Sequence, residues 1–144
     1  GDFESLDLAD FEASWRVNVL GLVTATRAVA PGMRKAGHGN IVVTGATASR
    51  RGGAMTAAFA SAKGAQRNLT ESLAKRLWPE GIHVSTIMID GIVDLPRARE
   101  RLPDKPDDFF LDPKDIAETA WWLAHQPRSA WSFEVEARPF GEKW

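Results

Sequence analysis

Two short runs constrain the fold of this chain more than anything else in its sequence. Residues 40–45 read Asn-Ile-Val-Val-Thr-Gly, and residues 81–90 read Gly-Ile-His-Val-Ser-Thr-Ile-Met-Ile-Asp. Both are rich in β-branched residues, and the first does not alternate apolar with polar positions. A strand covered on one face alternates, whereas a strand covered on both faces does not. Both runs are therefore predicted to be strands buried on two sides. Each follows a long segment of helical period, and that order decides topology. A helix crossing between strands of one sheet makes them parallel, with a right-handed connection.

Residues 5–37 read as one helix, with Ser5 or Asp7 able to cap its free N–H groups. Phe11, Trp15, Val19, Leu22, Val23, Thr26, Val29 and Met33 recur at three- and four-residue steps and predict one buried stripe. Pro31 is expected to bend or shorten the last turn, and Gly37 and Gly39 to end it. A second helix is predicted over residues 57–78, with Ala58, Ala62, Ala65, Leu69, Leu73 and Leu77 on one face. Asp112 and Pro113 form a cap and first-turn pair opening a third helix through His125. Residues 132–138, Ser-Phe-Glu-Val-Glu-Ala-Arg, alternate and predict a third strand nearer a sheet edge. Between these lie a loop of small residues, 46–56, and a charged, proline-containing segment, 91–111. Loops of the latter length are usually functional or mobile. The expected fold class is α/β: three parallel strands with flanking helices, half of a doubly wound, Rossmann-like sheet. Residues 1–144 read as a single domain, without repeats or an interdomain linker.

Composition excludes some functions. The net charge of −1, with no dense basic block, argues against a nucleic-acid or anionic-membrane surface. No cysteine is present, so disulfides and thiolate metal sites are excluded. His38, His83 and His125 have no metal-ligand spacing and read as solvated or strand-end residues, so no metal is expected. No apolar run is long enough to span a membrane and no signal-peptide pattern opens the chain, which makes the cytoplasm the expected location. There is no tyrosine, so no phenol can act as a general acid.

Four features in this order resemble the C-terminal half of the short-chain dehydrogenase/reductase family. They are Asn-Val-Leu-Gly at 18–21, Gly-Asn-Ile-Val-Val-Thr-Gly at 39–45, the aromatic-x-x-x-lysine frame of Phe59 and Lys63, and Gly-Ile-His-Val-Ser-Thr-Ile-Met-Ile-Asp-Gly-Ile-Val-Asp-Leu-Pro at 81–96. The resemblance implies NAD or NADP as cofactor in the intact protein and a carbonyl or alcohol substrate. It makes Asn18 the residue that holds a water in the proton relay. Lys63 becomes the lysine that binds the nicotinamide ribose. Asp90, Gly91, Ile92 and Val93 become the turn that meets the carboxamide. Phe59, however, stands where the family has its catalytic tyrosine. Gly45 and Ala46 stand at the paired serines, with Thr47 the nearest hydroxyl, and Leu95 stands where a threonine often touches phosphate. The chain also contains no Gly-x-Gly-x-x-Gly, the motif that seats a pyrophosphate at a helix N-terminus.

Each site residue also has a plain structural reading. Phe59 can be a core or cleft-lining aromatic and Thr47 a hydroxyl bonded to its own loop; Asp90 and Asp94 could suggest a cation or carboxylate-pair site, but no third ligand lies at a sensible spacing, so they read as turn caps. Arg50 and Arg51 can hold an anionic substrate or simply be solvated. Two functions follow. One is an NAD(P)-dependent oxidoreductase of which this chain is a part lacking the Gly-rich cofactor-binding half, inactive by itself. The other is a non-catalytic pseudo-enzyme or interaction module on the same scaffold. The strand at 41–44 is expected to have a bare edge, which predicts a homo-oligomer (dimer or tetramer) or complementation by an N-terminal segment.

Overall fold

The computed structural model describes residues 1–141. Helix α1 (Leu8–Trp15) is capped by Asp7, whose carboxylate accepts from the Ala9 N–H at 2.8 Å. It runs through a π-helical turn (Arg16–Leu20) into α2 (Gly21–Ala36). Strand β1 (Gly39–Ala46), helix α3 (Ala57–Leu77) and strand β2 (Ile82–Ile89) follow. Then come β3 (Ile92–Val93), α4 (Pro96–Arg101), β4 (Phe110–Leu111), α5 (Pro113–Ala124) and β5 (Glu134–Ala137).

The strand order is β1-β2-β5, and both pairings are parallel. Every residue of β2 is buried, as expected of the central strand of a sheet covered on both faces. Alternation along β2 divides the core. Ile82 and Val84 pack with Ala74 and Leu77 of α3, while Ile87 and Ile89 pack with Leu123 of α5. The α/β class, parallel pairing and edge position of the third strand are as the sequence implies.

Several details differ. The first helix is one path with a π turn inside it, not a uniform α-helix. It passes through Pro31 and stops only at Gly37, which takes the left-handed conformation with φ 73°. Phe11, Trp15 and Val29 are exposed, whereas Val19, Thr26 and Ala30 are buried. The predicted stripe therefore has only part of its length against the rest of the chain. Residues 91–111 are not an open loop. β3 and β4 pair in parallel, and Val93 and Leu111 reach the α5-side core. His83 takes the strand-end reading, as the second residue of β2, and is buried there, stacked on Trp131 at 4.7 Å and edge-on to Trp78. The tail beginning at Arg138 extends past residue 141, outside the described residues.

Gly81 shows why the α3–β2 turn is short. Its φ of 80° is left-handed, and an added Cβ would lie 2.7 Å from the Gly37 carbonyl oxygen. The two helix ends meet there, so no side chain fits.

Candidate active site

In an open parallel sheet, ligand sites form beyond the carboxyl ends of the strands. Three elements converge on that end here: the end of β1, the first turns of α3 and the π turn. Lys63, in the second turn of α3, reaches back to β1. Its Nζ donates to the Thr44 carbonyl at 2.9 Å and to Gln66 Oε1 at 2.9 Å. Burial holds its pKa below the ordinary lysine value of 10.5, because leaving water penalises the ammonium. The ammonium also lies 5.9 Å from the ring centre of Phe59, a cation–π distance.

An ammonium carries three N–H donors. Two are used, so one remains without a partner among the described residues. Phe59, one turn before Lys63, is 44% exposed and is not a core aromatic. Ala46 ends β1, so neither position carries a hydroxyl. Thr47 opens the short 3₁₀ turn Thr47–Ser49, and its carbonyl accepts from the N–H groups of Arg50 and Arg51 at 2.9 and 3.1 Å.

Asn18 lies in the π turn, where the Gly21 N–H reaches the Arg16 carbonyl five residues back. Such turns displace the helix ladder and concentrate at functional sites. The Asn18 amide donates to the Ser14 carbonyl at 2.9 Å, and its own carbonyl accepts from Gln66 Nε2 at 3.0 Å. Gln66 therefore joins Asn18 to Lys63, and its part was not read from sequence. The available signal was its spacing, three residues after Lys63 on the same helical face.

The turn after β2 differs more from expectation. The Asp90 N–H is used by the Ala137 carbonyl at 2.8 Å. The Asp90 side chain is buried and caps no turn. It pairs with Arg51 at 3.2 Å and also with Arg138. Beside it, Arg50 holds Glu134 and Glu136, and Arg67 of α3 holds Glu134 at 2.6 Å. Burial raises the Glu134 pKa, but hydrogen bonds from Arg67 and Arg50 outweigh it and leave the carboxyl below its ordinary range. Arg50 is thus not simply solvated, and these ion pairs fasten the loop after β1 across the ends of β2 and β5. Asp94 pairs with Arg99 at 2.7 Å. Gly91, Ile92 and Val93 line a cavity of about 380 Å³ with Arg97 and Arg101 on its α4 wall. Among the described residues no cluster of three potential metal ligands occurs, and no helix is long and apolar enough to cross a membrane.

Comparison with known proteins agrees with this geometry. A sequence model of the short chain dehydrogenase family matches residues 1–105. An uncharacterised oxidoreductase of Staphylococcus saprophyticus is 31% identical over 133 residues, covering 92% of this chain and 56% of the relative. A short-chain dehydrogenase from Rhodopseudomonas palustris superimposes with a TM-score of 0.79 at 35% identity, covering 97% of this chain and 57% of that one. A serine dehydrogenase in complex with NADP+ shares the fold with a TM-score of 0.86 at 24% identity, covering 99% of this chain and 61% of its own. The chain spans a little over half the length of these proteins. It belongs to the short-chain dehydrogenase/reductase family.

Proposed function

We propose that the intact protein is an NAD(P)-dependent oxidoreductase of the short-chain type acting on a carbonyl/alcohol pair, with this chain as the C-terminal part of its fold. The observation that carries the proposal is the Lys63 ammonium. It is fixed by two acceptors at the carboxyl end of β1, with one N–H left to donate. That arrangement fits a ribose hydroxyl. Arg97 and Arg101, beside Gly91–Val93 in the 380 Å³ cavity, suit an anionic nucleotide. When bound, a nicotinamide cofactor supplies or accepts the hydride. The residues of this chain then bind and orient it, and must also manage a proton. Phe59 and Ala46 cannot do so, which leaves a water ordered by Lys63 and Asn18, or the Thr47 hydroxyl, as the acid. General acid–base assistance is worth about 10²–10⁴-fold, so turnover in the parent is expected to be slow by that scale.

A second reading is a non-catalytic scaffold that still binds cofactor. The Phe59 ring over Lys63 and the methyl group of Ala46 favour it, because both hydroxyl positions are lost together. Under either reading the 144-residue chain alone is expected to show little activity, since it carries no Gly-x-Gly-x-x-Gly. A homo-oligomer and a cytoplasmic location complete the proposal.

The test is an NAD(P)H titration and a carbonyl-substrate panel on the intact protein, beside Phe59→Tyr and Phe59→Tyr/Ala46→Ser. Turnover by the parent establishes the first reading. Cofactor binding without turnover, together with turnover gained in the Tyr variant, establishes the second. An intact protein with no NAD(P)(H) affinity overturns both.

A further inference from the structure

At the end of the molecule away from Lys63, α2 and α3 enclose a groove of about 350 Å³. Arg76 on its wall lies in the last turn of α3 and Lys63 in the second, about 20 Å apart at the rise of an α-helix. The groove is therefore separate from the candidate active site. Ala30 and Leu77 form its buried floor, Arg27, Arg34 and Arg76 line it, and no acidic residue does. Arg34 and Arg76 share one carboxylate, each donating to a different oxygen of Glu80. The hydrogen bond from Arg34 holds the Glu80 carboxyl below its ordinary range, so Glu80 stays ionised and cancels one charge of the three. Arg27 has no ion pair or hydrogen bond among the described residues. Two positive charges are thus left over at one place, on a chain whose net charge is −1.

Thr26 adds an observation of a different kind. It lines the same groove, is 6% exposed, and its Oγ1 has no hydrogen-bond partner among the described residues. A helical threonine commonly returns its hydroxyl to the carbonyl four residues back, as Thr70 and Thr119 do in this chain. We propose that the groove binds a small phosphate-bearing anion, held by Arg27, Arg34 and Arg76 and by the Thr26 hydroxyl. Each guanidinium carries five N–H donors, and Glu80 engages one on Arg34 and one on Arg76, so donors remain for a ligand. Their planar fork matches phosphate oxygens. A phosphomonoester carries about −1.5 to −2 at neutral pH and nearly cancels the two remaining charges, whereas a carboxylate cancels only one. Crowding three guanidinium groups around one carboxylate costs Coulomb energy, and a bound dianion relieves it. The site depends neither on Lys63 nor on the cofactor reading.

The experiment titrates inorganic phosphate into the intact protein by calorimetry, at constant ionic strength set with chloride. Saturable binding is expected. Arg27→Ala breaks no ion pair, and Thr26→Val keeps the side-chain shape while removing the hydroxyl. Each is expected to weaken phosphate binding by about tenfold or more, the scale of one hydrogen bond to a charged group. Arg97→Ala/Arg101→Ala, in the cavity beside Gly91, is expected to leave the affinity unchanged. Heat that does not saturate, or affinity insensitive to either groove variant, means an adventitious ion only and overturns the proposal. Loss of binding in Arg97→Ala/Arg101→Ala places the phosphate in the other cavity and overturns it as well. If Thr26→Val fails to fold, Arg27→Ala decides alone. Sedimentation of the same samples covers the remaining occupant, a carboxylate of a second copy. Arg27→Ala that weakens assembly while phosphate affinity stays at the parent value assigns the groove to that contact and overturns the proposal.

Discussion

Lys63 is held at a cost, and that cost has a sign. Burial disfavours its ammonium, so the folded chain releases this proton at a lower pH than the unfolded chain, whose lysine titrates near 10.5. Between those two values the unfolded state binds more protons, and stability rises with pH there. The burial cost is present in full below the folded value, and it is relieved as pH climbs toward 10.5. Lys63→Met is therefore expected to stabilise the protein at pH 7 and to flatten its gain between pH 7 and 10. Urea denaturation of parent and variant at the two pH values measures this, and a larger gain in the variant would contradict it. The same substitution is expected to weaken NAD(P)H binding by about tenfold or more, the scale of a charged hydrogen bond. A residue that lowers stability yet is held by two acceptors with a third donor left over suits binding better than packing.

At the level of elements, the ion pairs around Asp90 separate deep contacts from shallow ones. The Asp90 carboxylate is 6% exposed and holds Arg138, whose side chain is also largely buried, and Arg51, which is 71% exposed. Breaking a buried pair by removing one partner costs about 3–5 kcal/mol, whereas an exposed pair is worth about 0–1 kcal/mol. Asp90→Ala is therefore expected to destabilise by about 3 kcal/mol and Arg51→Ala by less than about 1 kcal/mol, read from denaturation midpoints at constant slope. Similar losses from both would mean that Arg51, not Arg138, is the main partner. None of this clasp was legible in the sequence, where Asp90 reads as a turn residue and Arg50 and Arg51 as a loop pair. Their partners lie 39 to 86 positions away, and only the sheet brings them together. Both strands were legible as β-branched runs, but the expected burial on two faces holds only for β2; in β1 only Val43 and Gly45 are buried, and Asn40 and Thr44 are exposed. Lys63, Asn18 and Phe59 were legible as a frame, since a helix converts spacing into position. The π turn was not, because one extra residue in a helical turn leaves the apolar pattern nearly unchanged. Nor were β3 and β4, two-residue strands too short to show a period.

The whole molecule leaves two surfaces incompletely covered. β1 pairs with β2 on one side only, so its other edge carries backbone donors and acceptors with no strand partner among the described residues. Along the first helix, Val17 is 74% exposed, and Trp15 and Leu20 are exposed beside it. An open edge recruits any strand it meets, whereas an apolar helix face recruits a matching face. Both favour association, and they predict different sensitivities. The 144-residue chain is expected to sediment as a dimer or larger species at micromolar concentration. If the helix face drives association, a charge at its centre has to be desolvated on contact, and Val17→Lys is expected to weaken assembly by about tenfold or more. If the edge drives it, Val17→Lys leaves assembly intact, and the β1 amides become protected from hydrogen exchange as concentration rises. A stable monomer with native-like spectra across the concentration range would show that neither surface needs a partner. That result would remove the physical ground for expecting an oligomer.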